Sequence, residues 1–292
     1  MTQREVSVAI QGEVGSNHDL AASYYFGPRY EAGYCTTFDQ VFAAVENGET
    51  DFGLAAAENT IVGPIVPTWD LLRRRAGVLV VGEAFLRINH ALITLPGTSL
   101  HDIRTVLSHP AALGQCAEFL ARELPDARLQ PTHDTAASAD MILQQGDRTV
   151  AAIAGPNNAE RLGLEVLLGG IADDSENYTR FLALQRADQV PSDQPVGANK
   201  TSLLIERLNN APDDNQPGAL HGALGGFALH GVNLSMIQSR PTRDRVWRYG
   251  FYLDCEAGIS EEGMQASLRD LRRVGAEWRS LGTYMAGQTY GD

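Results

Sequence analysis

The chain has 292 residues, 43% of them apolar and 20% charged, with a formal net charge of −13. That length suggests about two domains, from a prior of ~150 residues each. Such an acidic surface repels nucleic acid and anionic membranes, and no apolar run approaches the ~18–20 residues of a membrane helix.

The first residues, MTQREVSVAI, run directly into strand-like alternation without the basic and apolar regions of a signal peptide, so a cytoplasmic protein is expected. Strands and helices then alternate. VSVAI (6–10) reads as a strand, HDLAASYYF (18–26) as a helix, and 39–47 as a helix on the spacing of Val41, Phe42 and Val45. FGLAAA (52–57) is a short apolar strand, 66–75 a helix, and 77–95 holds strands. A strand at 103–109, a helix at 111–123, a helix at 132–146 after a loop, a strand at 149–155, a helix at 157–163 and a strand at 178–185 complete the region. This order predicts an α/β body with mainly parallel pairing. The Pro-, Asp- and Gln-rich stretch 186–200 reads as a linker. Beyond it, strands at 201–208, 232–241, 246–256 and 276–284 and helices at 217–231 and 261–275 spell β-α-β-β-α-β, the ferredoxin-like order.

The three cysteines (Cys35, Cys116, Cys255) form no CxxC and need no redox role, and the seven histidines lack metal-ligand spacing. Lys200 is the only lysine, so the region before it has no Schiff-base candidate. The loop QGEVGSNHD lacks the third glycine of a dinucleotide fingerprint and the Lys-Ser/Thr of a P-loop. No metal or organic cofactor is expected.

Several helix starts carry polar residues: Ser16, Asn17 and His18 in the first loop; Ser108 and His109 before Pro110; and Asp134 with Thr135. Each serves as a cap taken singly, but several together at one rim of a sheet would make an anion cleft. Glu58, Asn59 and Thr60 close an apolar strand, where open α/β sheets bind ligands. In DDSENYTRFLAL (173–184), alternation sends Thr179 and Phe181 to one face and Arg180 to the other. Two readings stay open here: Arg180 pairs with Asp173, Asp174 or Glu176 beside the strand, or Thr179 and Arg180 both serve a cleft.

These segments, in this order, resemble the prephenate dehydratase family in the form that ends in an ACT regulatory domain. The resemblance runs from Val6 to Tyr284. It rests on Glu58-Asn59-Thr60 with Gly63, on Ser108 to Cys116 as an SHP-A-L-Q-C-type helix, on Asp134 to Ala139, and on Asn177-Tyr178-Thr179-Arg180-Phe181 as an N-x-TRF signature. In the second part Pro217-Gly218-Ala219-Leu220 and the segment Asn233 to Pro241 match. Asn17 stands where the family has an aromatic, and Gln238 where it has a glutamate.

The resemblance implies a two-lobed catalytic domain like type II periplasmic binding proteins over 1–187, a linker over 188–199, and an ACT domain over 200–286. It implies conversion of prephenate to phenylpyruvate, water and carbon dioxide, feedback control by L-phenylalanine, and a homodimer or homotetramer. Thr179 would donate to the leaving hydroxyl and Arg180 would anchor a carboxylate or orient the site, with Glu58 and Asn59 beside them. Thr60, Ser16, Ser108, Gln115, Thr135, Asn177 and Phe181 would line the substrate. Gly218, Ala219, Leu220, Asn233, Leu234, Gln238, Ser239, Arg240 and Pro241 would form the effector site. An arogenate dehydratase and a non-catalytic amino-acid sensor are the alternatives.

Overall fold

The computed structural model describes residues 5–208, 216–242 and 247–291. The first lobe contains β1 (Val6–Gln11), α1 (Asn17–Phe26), β2 (Tyr30–Cys35), α2 (Phe38–Glu46), β3 (Phe52–Asn59), β4 (Gly63–Pro64), α3 (Val66–Arg74) and β5 (Val78–Arg87). The chain then builds a second lobe from β6 (Ala91–Thr94), β7 (Thr105–Ser108), α4 (Pro110–Gln115), α5 (Ala117–Glu123), β8 (Arg128–Pro131), α6 (Thr135–Gln145), β9 (Val150–Ala154), α7 (Asn157–Leu162) and β10 (Glu165–Gly169). β11 (Tyr178–Arg186) returns to the first lobe. The remainder comprises β12 (Lys200–Arg207), α8 (Ala219–Leu229), β13 (Leu234–Pro241), β14 (Tyr249–Cys255), α9 (Glu262–Arg273), β15 (Glu277–Tyr284) and β16 (Thr289–Tyr290).

The first sheet runs β16-β5-β11-β3-β1-β2, with β4 on β3, and the second runs β10-β6-β9-β7-β8. Pairing is mixed, contrary to the mainly parallel expectation. β11 is antiparallel to both β3 and β5, and β6 is antiparallel to β9 and β10. The reason is the route of the chain: it leaves the first lobe through β5 and re-enters at the interlobe end, so β11 must run against its neighbours. The expected helix 111–123 is broken at Cys116, whose φ of −120° and ψ of 23° separate α4 from α5.

Local chemistry sets the helix starts. Thr37 and Gln40 form a reciprocal capping box on α2, and Asp134 caps α6. Apolar residues of β1, β3 and β11 pack with α1 on one face of the first sheet, including Val8, Ile10, Leu54 and Phe181. The other face buries Leu182 and Leu184 against α2, α3 and the third sheet.

The third sheet, β13-β14-β12-β15, is antiparallel throughout and carries α8 and α9, giving the expected β-α-β-β-α-β unit. The strand expected from residue 246 begins at Tyr249; Val246 itself lies outside the described residues. This unit docks onto α3 and β5. Leu204, Tyr252, Leu281 and Tyr284 share one apolar core with Trp69, Leu72 and Val80. Gly282 makes the close approach possible, since a Cβ there would stand 1.9 Å from the Val80 carbonyl oxygen. The chain end then rejoins the first sheet, where β16 pairs in parallel with β5. Among the described residues no helix is long and apolar enough to cross a membrane.

Candidate active site

Two adjoining cavities open between the lobes. One, of about 210 Å³, is lined by Asn17, Asn59, His90, His109, Gln115, Thr135, Asn177 and Thr179 with apolar Val62, Ile65 and Ile88. The other, of about 360 Å³, adds Gln11, Glu13, His18, Cys35, His133 and Asp134 and shares Asn17, His109 and Thr135. Residues of α1, β3, β11 and the β5–β6 crossing thus meet α4 and α6 across the gap.

Hydrogen-bond direction can be followed through the smaller cavity. The Asn59 Oδ1 accepts from the backbone N–H groups of Ile61 and Val62, both at 3.0 Å, which fixes the orientation of that amide. Its Nδ2 therefore faces Asn177 Oδ1 at 2.7 Å, the Tyr178 carbonyl at 3.1 Å and Thr179 Oγ1 at 3.0 Å. Since Thr179 Oγ1 accepts from Asn59, its own proton is available to a ligand. With Asn177 Oδ1 engaged, Asn177 Nδ2 donates to Gln115 Oε1 at 3.2 Å. Gln115 Oε1 is then an acceptor for His90 as well, so His90 carries its proton on Nε2, 2.8 Å away. The result leaves the Gln115 amide N–H groups for a ligand.

His90 is buried, and burial lowers its pKa, partly offset by the bond to Gln115. Its Nδ1 has no hydrogen-bond partner, which suits the neutral ring. His18 accepts from Ala56 N at 3.3 Å through Nε2, packs edge-on against Phe181 at 5.0 Å, and is held by burial at a pKa of about 4. It is therefore neutral near pH 7, with its proton on Nδ1.

The structure brings together Asn59, Gln115, Thr135, Asn177 and Thr179 of the residues expected from sequence. Others lie elsewhere. Glu58 stands directly opposite Arg180 in the β3–β11 ladder and so shares the face away from the Thr179–Asn59 pair. Arg180 does not reach the cavity. Its guanidinium is buried beneath the first sheet, where it meets Glu83 at 2.6 Å and Asp254 at 2.5 Å. The expected role of anchoring a ligand carboxylate does not fit, and its partners are none of the three nearby acids. Asp173 instead caps α5 through Glu118 N and Phe119 N, and Asp174 accepts from Glu176 N.

Thr60 clamps the loop, donating to the Glu176 carbonyl at 2.7 Å and accepting from Tyr178 N. Ser16 caps α1, Ser108 donates to the Ile153 carbonyl at 2.6 Å, and Phe181 belongs to the core. Two helix starts are already engaged as well: Asp134 accepts from Ala136 N and Ala137 N, and His109 Nδ1 from Ala111 N. With Ser16 on Asp19 N as well, all three of these helix starts carry a side-chain cap. The sequence around His90 carries no signal of this role, because it is one histidine inside a long apolar strand segment.

In the third sheet, Gly218 takes the left-handed conformation (φ 84°) before α8, where Ala219 and Leu220 begin the helix. Leu234, Gln238, Ser239, Arg240 and Pro241 lie on β13, an edge strand, just after Asn233. Asn233 donates to Glu256 at 2.7 Å, Arg240 pairs with Asp70 of α3 at 3.1 Å, and Gln238 Oε1 is buried without a partner. Among the described residues no group of His, Cys, Asp and Glu could hold a metal ion.

Residues 8–189 match the family model for prephenate dehydratase, and residues 214–275 match that for the ACT domain. A prephenate dehydratase of Mycobacterium tuberculosis (strain H37Rv) is 36% identical over 250 residues, covering 85% of this chain and 74% of its own. The chain belongs to the prephenate dehydratase family. Among solved structures, prephenate dehydratase from Arthrobacter aurescens, in complex with L-Phe, superposes with a TM-score of 0.84 at 30% identity, over 96% of this chain and 90% of that one. GqqA, described as a novel type of quorum-quenching acylase, superposes equally well (TM-score 0.84, 33% identity, 96% and 98% coverage). The family accounts for both the two-lobed body and the C-terminal unit.

Proposed function

We propose that this chain converts prephenate to phenylpyruvate, water and carbon dioxide, with Thr179 as the donor to the departing hydroxyl. The observation that carries the reading is the Asn59 Nδ2 to Thr179 Oγ1 bond of 3.0 Å, which turns the threonine proton toward the cavity. As the bond between ring and carboxylate breaks, its electron pair enters the ring and expels the 4-hydroxyl. The hydroxyl leaves as water by taking the Thr179 proton, and the ring becomes aromatic. Threonine is a weak acid, so the Asn59 N–H that reaches Oγ1 matters: it stabilises the negative charge that develops there. A proton from solvent restores the hydroxyl.

None of the described residues lining the two cavities is Arg or Lys. That arrangement suits decarboxylation, because a strongly held ring carboxylate would resist losing its charge. Gln115 Nε2 and the Asn17 side-chain amide supply polar contacts for the two carboxylates. An acylase reading finds no activated serine or thiol among these groups: Ser16 and Ser108 are buried and engaged, burial and then Glu49 raise the pKa of the cavity-lining Cys35, and burial beside Asp173 pushes the Cys116 thiol up to about 12.

Residues 1–187 are assigned to catalysis, 188–199 to the linker and 200–286 to control by L-phenylalanine. The exposed edge of β13, with Ile237 49% exposed, supports association of copies as a homodimer or homotetramer. Three free cysteines suit the cytoplasm. The test is turnover of purified protein on prephenate and, separately, on arogenate, with and without L-phenylalanine. Phenylpyruvate from prephenate, suppressed by L-phenylalanine, is expected. Activity confined to arogenate would transfer the reading to the amine-bearing substrate, and binding of prephenate without turnover would favour a sensor.

A further inference from the structure

Arg180 lies at the centre of a buried charge cluster that joins the two domains. Its Nε and Nη2 reach Glu83 of β5 at 2.7 and 2.6 Å, and its Nη2 donates to Tyr284 Oη of β15 at 3.2 Å. Its Nη1 lies 2.5 Å from Asp254 of β14, an ionic contact without hydrogen-bond alignment. Lys200, the only lysine of the chain and the first residue of β12, holds both Glu83 oxygens at 2.8 and 2.9 Å. Ser202 links Tyr284 Oη to Asp254 Oδ1. Two cations thus face two anions, and all four residues are at most 8% exposed.

A cluster this dry is stable only while every member keeps its partner, since removing one leaves a buried charge uncompensated. Its members come from two sheets, so it fixes the third sheet against the first at one residue of β11. That residue directly precedes a register shift in the β3–β11 ladder, between Arg180 and Phe181. Bulges of this kind re-aim the neighbouring side chains. Thr179 is the adjacent residue on the opposite face, and its hydroxyl faces the cavity.

We infer that Arg180 is a positioning residue: held between Glu83 and Asp254, it sets where β11 presents the Thr179 hydroxyl, so that the docked C-terminal domain takes part in aligning the site. The inference rests on the donor role of Thr179 proposed above. It gives the docking a catalytic consequence, because a small displacement of a reacting group can cost about 10²-fold in rate.

The test compares Asp254→Asn, which removes the charge and keeps the shape, with Tyr252→Phe. Tyr252 lies on the same strand and donates to the Trp69 carbonyl across the same interface at 2.8 Å. It loses a buried interdomain bond without touching the Arg180 cluster. Steady-state turnover of prephenate is measured on the full chain, below the unfolding transition of each variant. Asp254→Asn should lower kcat about 10- to 100-fold with little change in KM, whereas Tyr252→Phe should lower stability and keep kcat. Arg180→Lys keeps the charge without the planar fork and should also lower kcat. The double variant Arg180→Lys/Asp254→Asn should fall no further than the worse single variant. Wild-type kcat in Asp254→Asn and Arg180→Lys overturns the inference. So does a rise in KM alone, or an equal loss of kcat in Tyr252→Phe. Failure of the wild-type chain to turn over prephenate would instead count against the function itself.

Discussion

The Asn59 amide nitrogen lies 3.0 Å from the Thr179 hydroxyl oxygen, while the same amide's oxygen is fixed by two backbone N–H groups of the following turn. The side chain therefore cannot flip without losing both turn bonds. Asn59→Asp should keep those bonds and the fold, because a carboxylate accepts as well as an amide oxygen. It cannot donate to Thr179, so the hydroxyl would turn its proton toward the new carboxylate. We expect kcat to fall by about 10²-fold or more, the scale of losing one donor aimed at developing charge, and the thermal midpoint to fall as well, because the new carboxylate oxygen also faces Asn177 Oδ1 and the Tyr178 carbonyl.

His90 acts through Gln115. Replacing it by Phe removes one of the two donors that hold Gln115 Oε1, leaving Asn177 Nδ2 alone on that oxygen and the amide less firmly held. One hydrogen bond is worth about 0.5–1.5 kcal/mol net, so kcat/KM for prephenate should fall about 2- to 10-fold, mainly through KM. His90→Gln restores a donor and should recover part of the loss. Initial-rate measurements on the two variants check this.

His18 links stability to pH. Its pKa is about 4 in the folded chain against 6.5 when exposed. Between those values the unfolded chain binds the extra proton, so His18 contributes stability that is fully present above pH 6.5 and is lost as pH falls toward 4. Urea unfolding at successive pH values should show this slope, and His18→Gln, which can still accept from Ala56 N, should flatten it.

Lys200 offers a direct view of the domain joint. Its ammonium is buried on Glu83, so amine-reactive reagents should modify it slowly in the native protein. Asp254→Asn should speed that modification by loosening the cluster, and Tyr252→Phe should do so less. Peptide mass spectrometry reads a single lysine and is free of competing side chains.

Much of this was legible from the sequence, and the remainder fails for identifiable reasons. Asn59, Asn177 and Thr179 meet at the cavity and the β-α-β-β-α-β order is present, each a matter of local spacing, whereas Arg180 and Phe181 of the same signature are buried away from the cavity. β2 and β8 are short, with half-buried or exposed residues and little apolar alternation, so their patterns carry little signal. Alternation correctly placed Arg180 opposite Thr179, but its partners Glu83 and Asp254 are remote in sequence, and nothing near Arg180 announces them. The likeness of Ser108 to a ligand-facing residue is a similar case: its hydroxyl is taken by Ile153 of a neighbouring strand. Return of the chain end to β5 depends on the docking of the third sheet, which no local pattern encodes.

The most direct measurement of the central claim is prephenate turnover by Thr179→Ala, followed as phenylpyruvate absorbance beside the wild-type chain and Thr179→Ser. The variant should fold and bind prephenate, while kcat falls about 10²- to 10⁴-fold, the usual range for loss of a positioned acid, and Thr179→Ser should retain a substantial share. A folded Thr179→Ala variant with near wild-type kcat would contradict the assignment of the departing hydroxyl to Thr179.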